Sequence, residues 1–327
     1  MASSKTILIP ILVEQFLNQY SDESHPISVS EIEKKLEEMN ITTDRRVIYN
    51  AMKALKECGY RIHKVIRNHR TGYYIEHTFN KEEIFLLNNE IASSSALSLH
   101  EFVGLQEKLV SLLSSQQASS LPEVYPSVSA KNSSLLSSIR LLLDAIAGYH
   151  PVSFRYFDLG VDQTKIYRIN IYVMVPYAIV SEGGRFYCIF HSEKHNSFGN
   201  YRIDKMDSIE IMEETAKTYP FSLKDHLRSS FQMYHGTGQT VTCKIDKSFA
   251  SYIYDRFSSQ NIIISSVDDK TFTVSLRTAI TPTLISWLMQ FSMYVTVLGP
   301  DEVINEMIDS SRQIIQKYQK KEGKNDE

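Results

Sequence analysis

Cysteine is scarce in this sequence of 327 residues, and its three copies, Cys58, Cys188 and Cys243, are far apart and odd in number. That excludes a disulfide framework and, with no Cys-x-x-Cys pair, a cysteine-rich zinc module, and it fits a reducing compartment. Long apolar runs are missing as well, and nothing approaches the roughly 20 residues that span a bilayer. Met1–Pro10 lacks the basic start and sustained apolar core of a secretion signal, so the expected location is cytoplasmic, with no membrane partner. Charge of one sign is not in excess: 35 Lys and Arg face 38 Asp and Glu, a net of -3, so any nucleic-acid footprint must be local. Catalytic signatures are absent too. There is no Walker A lysine loop; Gly236-Thr237-Gly238 is a lone Gly-x-Gly, and no Gly-x-Ser-x-Gly elbow occurs. His191 and His195 have a metal-like spacing, but they fall on a strand and its loop, so the pair is read as chance. No nucleophile and base pair up by sequence. The expectation is a protein that is not an enzyme and holds no cofactor and no metal.

What is present is an ordinary globular composition, 43% apolar and 22% charged, over a length suited to two or three domains. Ile7, Ile11, Leu12 and Phe16 form a helical stripe over Ile7–Tyr20, with Pro10 in the first turn. Ser28-Val29-Ser30-Glu31 is a capping box for a helix from Val29 to about Met39. After a short turn, Thr43 is placed to cap a third helix, Asp44 to Cys58, stopped by Gly59. Two short helices across such a turn describe a helix-turn-helix. Tyr60–Ile66 and Tyr73–Glu76 then flank a basic turn, Arg67 to Gly72, as the wing of a winged helix. On the third helix Ile48, Met52 and Leu55 share one side, and Arg45, Arg46, Tyr49, Asn50 and Lys53 the other. From Ile41 to Ile75 there are eight Lys and Arg against two acids, whereas Met1–Asn40 has seven acids against three bases. A charge run alone is usually a solvated face. Here it coincides with a capped helix pair and a basic hairpin tip, which is a footprint for a phosphate backbone. The candidate DNA-contacting residues are Thr43, Arg45, Arg46, Tyr49, Asn50, Lys53, Arg67, His69 and Arg70, and the domain is placed at 1–77.

Residues 78–148 read as a helical connector. Asn80-Lys81-Glu82-Glu83 caps a helix carrying Ile84, Leu87 and Ile91, and Leu99–Leu113 is another. A Ser- and Gln-rich loop, Ser114–Ser120, and an extended stretch to Ser133 lead to an apolar helix, Leu135–Ile146.

Strands follow. Pro151–Phe157 and Lys165–Val175 alternate, and Val173–Val180, Arg185–His191 and Tyr201–Ile203 are split by Glu182-Gly183-Gly184 and by Lys194–Asn200. That is about five strands, enough for a small curled barrel at 149–215. Tyr187 and His191 share a face by strand parity, and Tyr201, Arg202, Asp204 and Lys205 arrive on the adjacent strand. A barrel this small should not bury several cations without a partner, so the set, with Tyr156, is the candidate effector site for an anion, and its aromatics suit a base or nucleotide. Phe221–Phe231 reads as a short helix. Then Thr240–Ile245, Phe249–Phe257, Ile262–Val267, Thr271–Arg277, Leu284–Phe291 and Tyr294–Leu298 run strand-helix-strand-strand-helix-strand, a ferredoxin-like order at 238–320. An amphipathic helix, Asp301–Tyr318, precedes a charged tail, Lys320–Glu327, expected to fray. The fold class is α+β and multidomain.

The sensor stretch resembles the WYL domain of bacterial transcription regulators. The family's proline before the hairpin is Pro176. Its Trp-Tyr-Leu is here Phe186-Tyr187-Cys188, with only the Tyr kept, and its Arg-x-Asp-Arg-hydrophobic run is Arg202-Ile203-Asp204-Lys205-Met206, with Lys in the second Arg position. The run from Asp44 to Tyr60 resembles the recognition helix preceding such domains. Trp287-Leu288 and Val295–Glu302 are similar to the C-terminal WYL extension, and the connector is a weaker match. The resemblance implies an Sm-like barrel and a regulator that binds a double-stranded DNA operator as a homodimer, acts as a repressor, and senses an anionic or nucleotide-like effector. The alternative reading is an RNA- or single-stranded-nucleic-acid-binding accessory protein in which the barrel itself, with Tyr156, Tyr187 and Tyr201, stacks bases.

Overall fold

The computed structural model describes residues 8–67, 69–126, 134–228, 230–231, 233–235, 238–257 and 262–322. Ile7, Asn68, the end of the extended stretch at Ser133, Gly236-Thr237 and the last residues of the charged tail lie outside them. The chain forms two compact units, Met1–Ser133 and Ser134–Glu327, and it combines helices with several antiparallel sheets.

The first unit opens with three helices, α1 (Ile9–Tyr20), α2 (Val29–Glu38) and α3 (Arg45–Glu57), and a hairpin of β1 (Ile62–Arg67) and β2 (Arg70–Ile75). Both halves of the α2 capping box form: the Ser28 hydroxyl accepts from the Glu31 N–H, and the Glu31 carboxylate accepts from the Ser28 N–H at 2.7 Å. The α3 cap is Asp44 rather than Thr43. The Asp44 carboxylate, a stronger acceptor than a hydroxyl, takes the Arg46 N–H at 2.7 Å, while Gly59 follows the helix at φ +97. Val13, Leu17, Ile32, Leu36 and Ile48 are sealed between these helices. Each such aliphatic side chain stabilises by about 1.5–3 kcal/mol, so Ile48→Ala would loosen the seat of α3.

The hairpin is tighter than the sequence suggests. Arg67 pairs with Arg70 across a two-residue loop, His69 takes φ 62, and Gly72 lies within β2. Gly72 serves close approach: a Cβ there would come within 2.8 Å of the Pro26 side chain, where Ile27 and Tyr73 exchange backbone hydrogen bonds. Further on are α4 (Lys81–Ala92), α5 (Leu99–Val110) and α6 (Ser115–Ser119). The last replaces the expected Ser- and Gln-rich loop, because Ser114 caps it by accepting from Gln117. Ser114 also donates to the Asp22 carboxylate at 2.5 Å.

In the second unit, α7 (Leu135–Gly148) packs on a five-stranded sheet of β3 (Val152–Leu159), β4 (Lys165–Glu182), β5 (Arg185–Ser192), β6 (Ser197–Arg202) and β7 (Met206–Ile211), in the order β6-β5-β4-β3-β7. The two strands expected from Lys165 to Val180 are one. Its first half pairs with β3 and its second with β5, and the register shifts between Pro176 and Ala178. Proline donates no ladder hydrogen bond, so the bulge is where a bent strand tolerates it. Gly183 and Gly184, both at positive φ, make the two-residue turn into β5. β6 starts at Ser197, earlier than the sequence reading placed it. After α8 (Leu223–Arg228), shorter than expected, and the small pair β8 (Ser230–Phe231) and β9 (Tyr234–His235), the chain continues as β10 (Gly238–Asp246), α9 (Ala250–Arg256), β11 (Ile262–Val267), β12 (Thr271–Ala279), α10 (Pro282–Gln290), β13 (Val295–Gly299) and α11 (Asp301–Glu322). Their sheet has the order β11-β12-β10-β13, and its core includes Val241, Ile245, Val274, Leu276 and Leu288. No helix among the described residues is long and apolar enough to cross a membrane.

Candidate functional site

Two surfaces collect the chemistry-bearing side chains. On the first unit, α3 buries Ile48, Ala51, Met52 and Leu55 and turns Arg45, Arg46, Tyr49, Asn50 and Lys53 to solvent. Arg45 reaches back to Glu33 on α2 at 3.1 Å, and Lys53 lies 3.8 Å from Glu57 with both side chains well exposed. Among the described residues the Arg46 and Asn50 side chains hold no hydrogen bond or ion pair. Tyr49 sets its ring edge-on to Tyr73 of β2, tying helix to hairpin. At the hairpin tip Arg67 donates to the Ser24 carbonyl at 3.1 Å, while His69 and Arg70 are exposed. Thr43 is half-buried just before the cap.

On the second unit a cleft of about 470 Å³ opens between β3, β4, β5 and β6. Tyr156, Tyr187, Tyr201, Arg202 and Lys205 line it, together with Asp158, Arg168, Gly199, Asn200 and Met233. Its floor is an aromatic cluster: Phe154, Tyr156, Phe190 and Tyr201 meet at ring centroids 5.2–6.5 Å apart. Burial pushes the Tyr156 phenol up to about 12 and raises those of Tyr187 and Tyr201, so all three keep their protons at neutral pH. The Tyr156 oxygen accepts the Arg202 N–H at 3.2 Å, which leaves the phenolic proton to be given to another acceptor.

The cations of the cleft are already engaged. Arg202 grips Asp204 through both its Nε (3.1 Å) and an Nη (2.5 Å). Burial alone would lower the Arg202 pKa, but that carboxylate outweighs it and raises it. Lys205 donates to Asp158 at 2.6 Å, and Arg168 bonds the other Asp158 oxygen at 3.2 Å while lying over the Tyr156 ring. The hydrogen bond from Lys205, with Arg168 behind it, holds the Asp158 carboxyl below its ordinary range. Three cations therefore face two carboxylates. The arrangement can receive an anion of small charge, stack a planar group on tyrosine and donate phenolic hydrogen bonds.

His191 is elsewhere. It shares parity with Tyr187, but four residues along a strand is about 13 Å, and there it is buried, stacked on Tyr219 at 3.7 Å beside Tyr177 and Phe198. Asp204 sits behind the cleft as the partner of Arg202. Asp158, Arg168 and Asn200 were not singled out from the sequence. The available signal was the alternation that places Arg168 with Tyr172 on one face of β4. Asn200 also joins the cleft to the chain leaving the sheet: its Nδ2 donates to the Met233 carbonyl and its Oδ1 accepts from His226 Nε2, both at 2.7 Å. Among the described residues no three His, Cys, Asp or Glu side chains cluster to hold a metal.

The cleft lies within the part of the sequence that matches the WYL domain, residues 137–211, and residues 237–315 match the WCX domain. The chain therefore carries a WYL domain followed by a WCX domain. No curated protein matches it. Among solved structures it is similar to proteasome accessory factor B/C (PafBC) of Arthrobacter aurescens, at 16% identity over 92% of this chain and 45% of that one, with a TM-score of 0.28. It is also similar to a CRISPR Cas-related protein, at 13% identity over 97% of this chain and 86% of that one, with a TM-score of 0.38. The chain thus spans less than half the length of PafBC.

Proposed function

We propose that this WYL-domain regulator binds a double-stranded DNA operator through α3 and the β1–β2 hairpin, and that the cleft of its five-stranded sheet senses an anionic, nucleotide-like effector. The observation that carries the reading is the basic face of α3: the Arg46 and Asn50 side chains project from a firmly seated helix, and among the described residues no side chain or backbone group engages them by a hydrogen bond or ion pair. Arginine and asparagine can pair bidentately with guanine and adenine edges in a major groove, and the basic hairpin tip can add phosphate contacts. On this reading residues 1–77 are a winged helix-turn-helix, 78–148 a helical connector, 149–215 a sensor with Sm-like topology and 238–320 a ferredoxin-like extension. The strand orders β6-β5-β4-β3-β7 and β11-β12-β10-β13 support the last two. The regulator is a cytoplasmic homodimer, since one helix-turn-helix covers a single half-site, and it represses until its effector favours the state of lower DNA affinity.

The test is a titration of duplex and single-stranded DNA from the protein's own upstream region at fixed salt. A defined duplex bound well above both random duplex and single strand supports the reading. Preference for single strands overturns it in favour of a barrel that itself holds nucleic acid.

A further inference from the structure

The chain that leaves the five-stranded sheet runs on to β10, an interior strand of the WCX sheet flanked by β12 and β13. It is held in two ways. Its first part is pinned outside the cleft by aromatic contacts: Tyr219 stacks on His191 and gives its N–H to the Tyr177 hydroxyl at 2.7 Å, and Phe221 packs on Phe198. Its later part depends on the cleft wall. Asn200 accepts from His226 of α8 through Oδ1 and donates through Nδ2 to the Met233 carbonyl, and Asn200 and Met233 both line the cleft. Around that tie β9 lies against β6 and β8 against β12, so the same short stretch touches both sheets.

Two features separate this tie from a plain structural bond. Met233 is buried with its backbone at φ 63, in the left-handed region that a methionine rarely enters, so the tie holds a conformation the chain would leave if freed. The Asn200 carboxamide also turns its oxygen and its nitrogen to this chain although it stands in the wall where a ligand would sit. A carboxamide matches a nucleobase edge that presents a donor beside an acceptor, and that bidentate match draws on the same oxygen and nitrogen. We propose that Asn200 is a latch: the base of a nucleotide-like effector replaces Met233 and His226 on the Asn200 carboxamide, frees the stretch from α8 to β9, and so passes occupancy of the cleft to β10 and the WCX sheet. The tyrosines stack the base and the cations take its phosphate, while Asn200 reads the base edge and reports it. A ligand with a phosphate and no base enters the cleft without opening the latch.

The inference rests on the effector reading above and is tested so that the two can fail separately. Binding of AMP and of ribose 5-phosphate to the full chain is measured by calorimetry. Hydrogen–deuterium exchange is followed in peptides from α8, from β9 and β10 and, as a control, from β3 and β5. With AMP bound, α8, β9 and β10 should exchange several-fold faster while β3 and β5 exchange no faster, and ribose 5-phosphate should bind without that effect. Asn200→Ala should show the AMP-bound pattern with no ligand present. Asn200→Asp still accepts from His226 but cannot donate to Met233, so it should loosen β9 and β10 and leave α8 protected. AMP that binds without changing exchange in α8, β9 and β10, or an Asn200→Ala protein as protected there as the parent, overturns the latch and leaves the cleft standing as a nucleotide site. Equal release by AMP and ribose 5-phosphate overturns the assignment of base reading to Asn200. Faster exchange in β3 and β5 of both variants would make Asn200 a part of the fold rather than a latch, and also overturns the proposal. Failure of both compounds to bind at millimolar concentration overturns the effector reading and the latch with it.

Discussion

Arg46 on α3 and Arg202 at the end of β6 present the same side chain to a surface a ligand can reach, yet in opposite electrical states. Around Arg46 the stretch from Ile41 to Ile75 carries eight bases against two acids, and the internal ion pairs of its face, Arg45 with Glu33 and Lys53 with Glu57, leave a surplus. Around Arg202 every cation of the cleft has a carboxylate within 3.2 Å, with Asp158 shared by Lys205 and Arg168. An uncompensated face attracts a polyanion at long range and loses affinity steeply with salt. A compensated cleft offers little long-range pull and selects by shape, stacking and exchange of partners. The sequence argument that buried cations require an external anion was therefore incomplete: the protein supplies Asp158 and Asp204 itself, and an incoming anion must compete with them.

The largest effect that would break this contrast lies on α3. Arg46→Ala with Asn50→Ala removes two side chains of that face that hold no hydrogen bond or ion pair among the described residues. At about 1–3 kcal/mol for each base contact, operator affinity should fall on the order of a hundredfold or more in a duplex titration at fixed salt, with the fold intact by circular dichroism. Arg202→Ala, by comparison, should leave operator affinity unchanged and abolish the response to the effector. Loss of DNA binding in the second variant, or its retention in the first, would show that the surfaces have been assigned the wrong way round.

A smaller effect concerns what holds the basic face in place. The Asp22 carboxylate is buried and accepts from Ser114 Oγ and from the Ser24 and His25 N–H groups, and the loop it shapes offers the Ser24 carbonyl to Arg67. Burial alone would raise its pKa, but the hydrogen bonds from Ser114 and His25 prevail and lower it. The folded value thus lies below the unfolded one. The stabilisation is complete above the unfolded pKa of roughly 4 and is lost as pH falls through the folded value. Asp22→Ala should cost the first unit about 2–3 kcal/mol at pH 7, and thermal melts of variant and parent should converge on strong acidification. Equal melting temperatures at neutral pH would remove this carboxylate from the account.

How much of this could be read beforehand depended on the range of the interaction. Capping boxes at Ser28 and Asn80, the Gly183-Gly184 turn and the strand-helix order of the last domain are local, and the structure has them where the residues put them. Gly72 was misread as part of a turn because its reason, the Pro26 side chain, is distant in sequence. The continuity of β4 through Pro176 was missed because a bulge is a property of two strands. In the cleft, parity gave the face of Tyr187 but not the distance of His191 along it. Asp158 and Arg168 stayed unseen because their place depends on the pairing of β3 with β4 and on the reach of Lys205.

The smallest expected effect is the sharpest test of compensation. Asp158 is the carboxylate shared by Lys205 and Arg168, and it is itself about half exposed (46%). Asp158→Asn keeps the shape and an acceptor oxygen while removing the charge that an incoming anion must displace. If the cleft binds anions by exchange of partners, a fluorescent nucleotide should bind Asp158→Asn several-fold more tightly than the parent, consistent with about 1 kcal/mol for a solvent-screened pair. The corresponding change beside the basic helix, Glu33→Gln next to Arg45, should move operator affinity much less, because that face already has charge to spare. A cleft that binds the nucleotide more weakly once Asp158 is neutralised would mean that the carboxylate positions Lys205 and Arg168 for the ligand rather than competing with it, and the contrast between the two surfaces would then be one of geometry, not of charge.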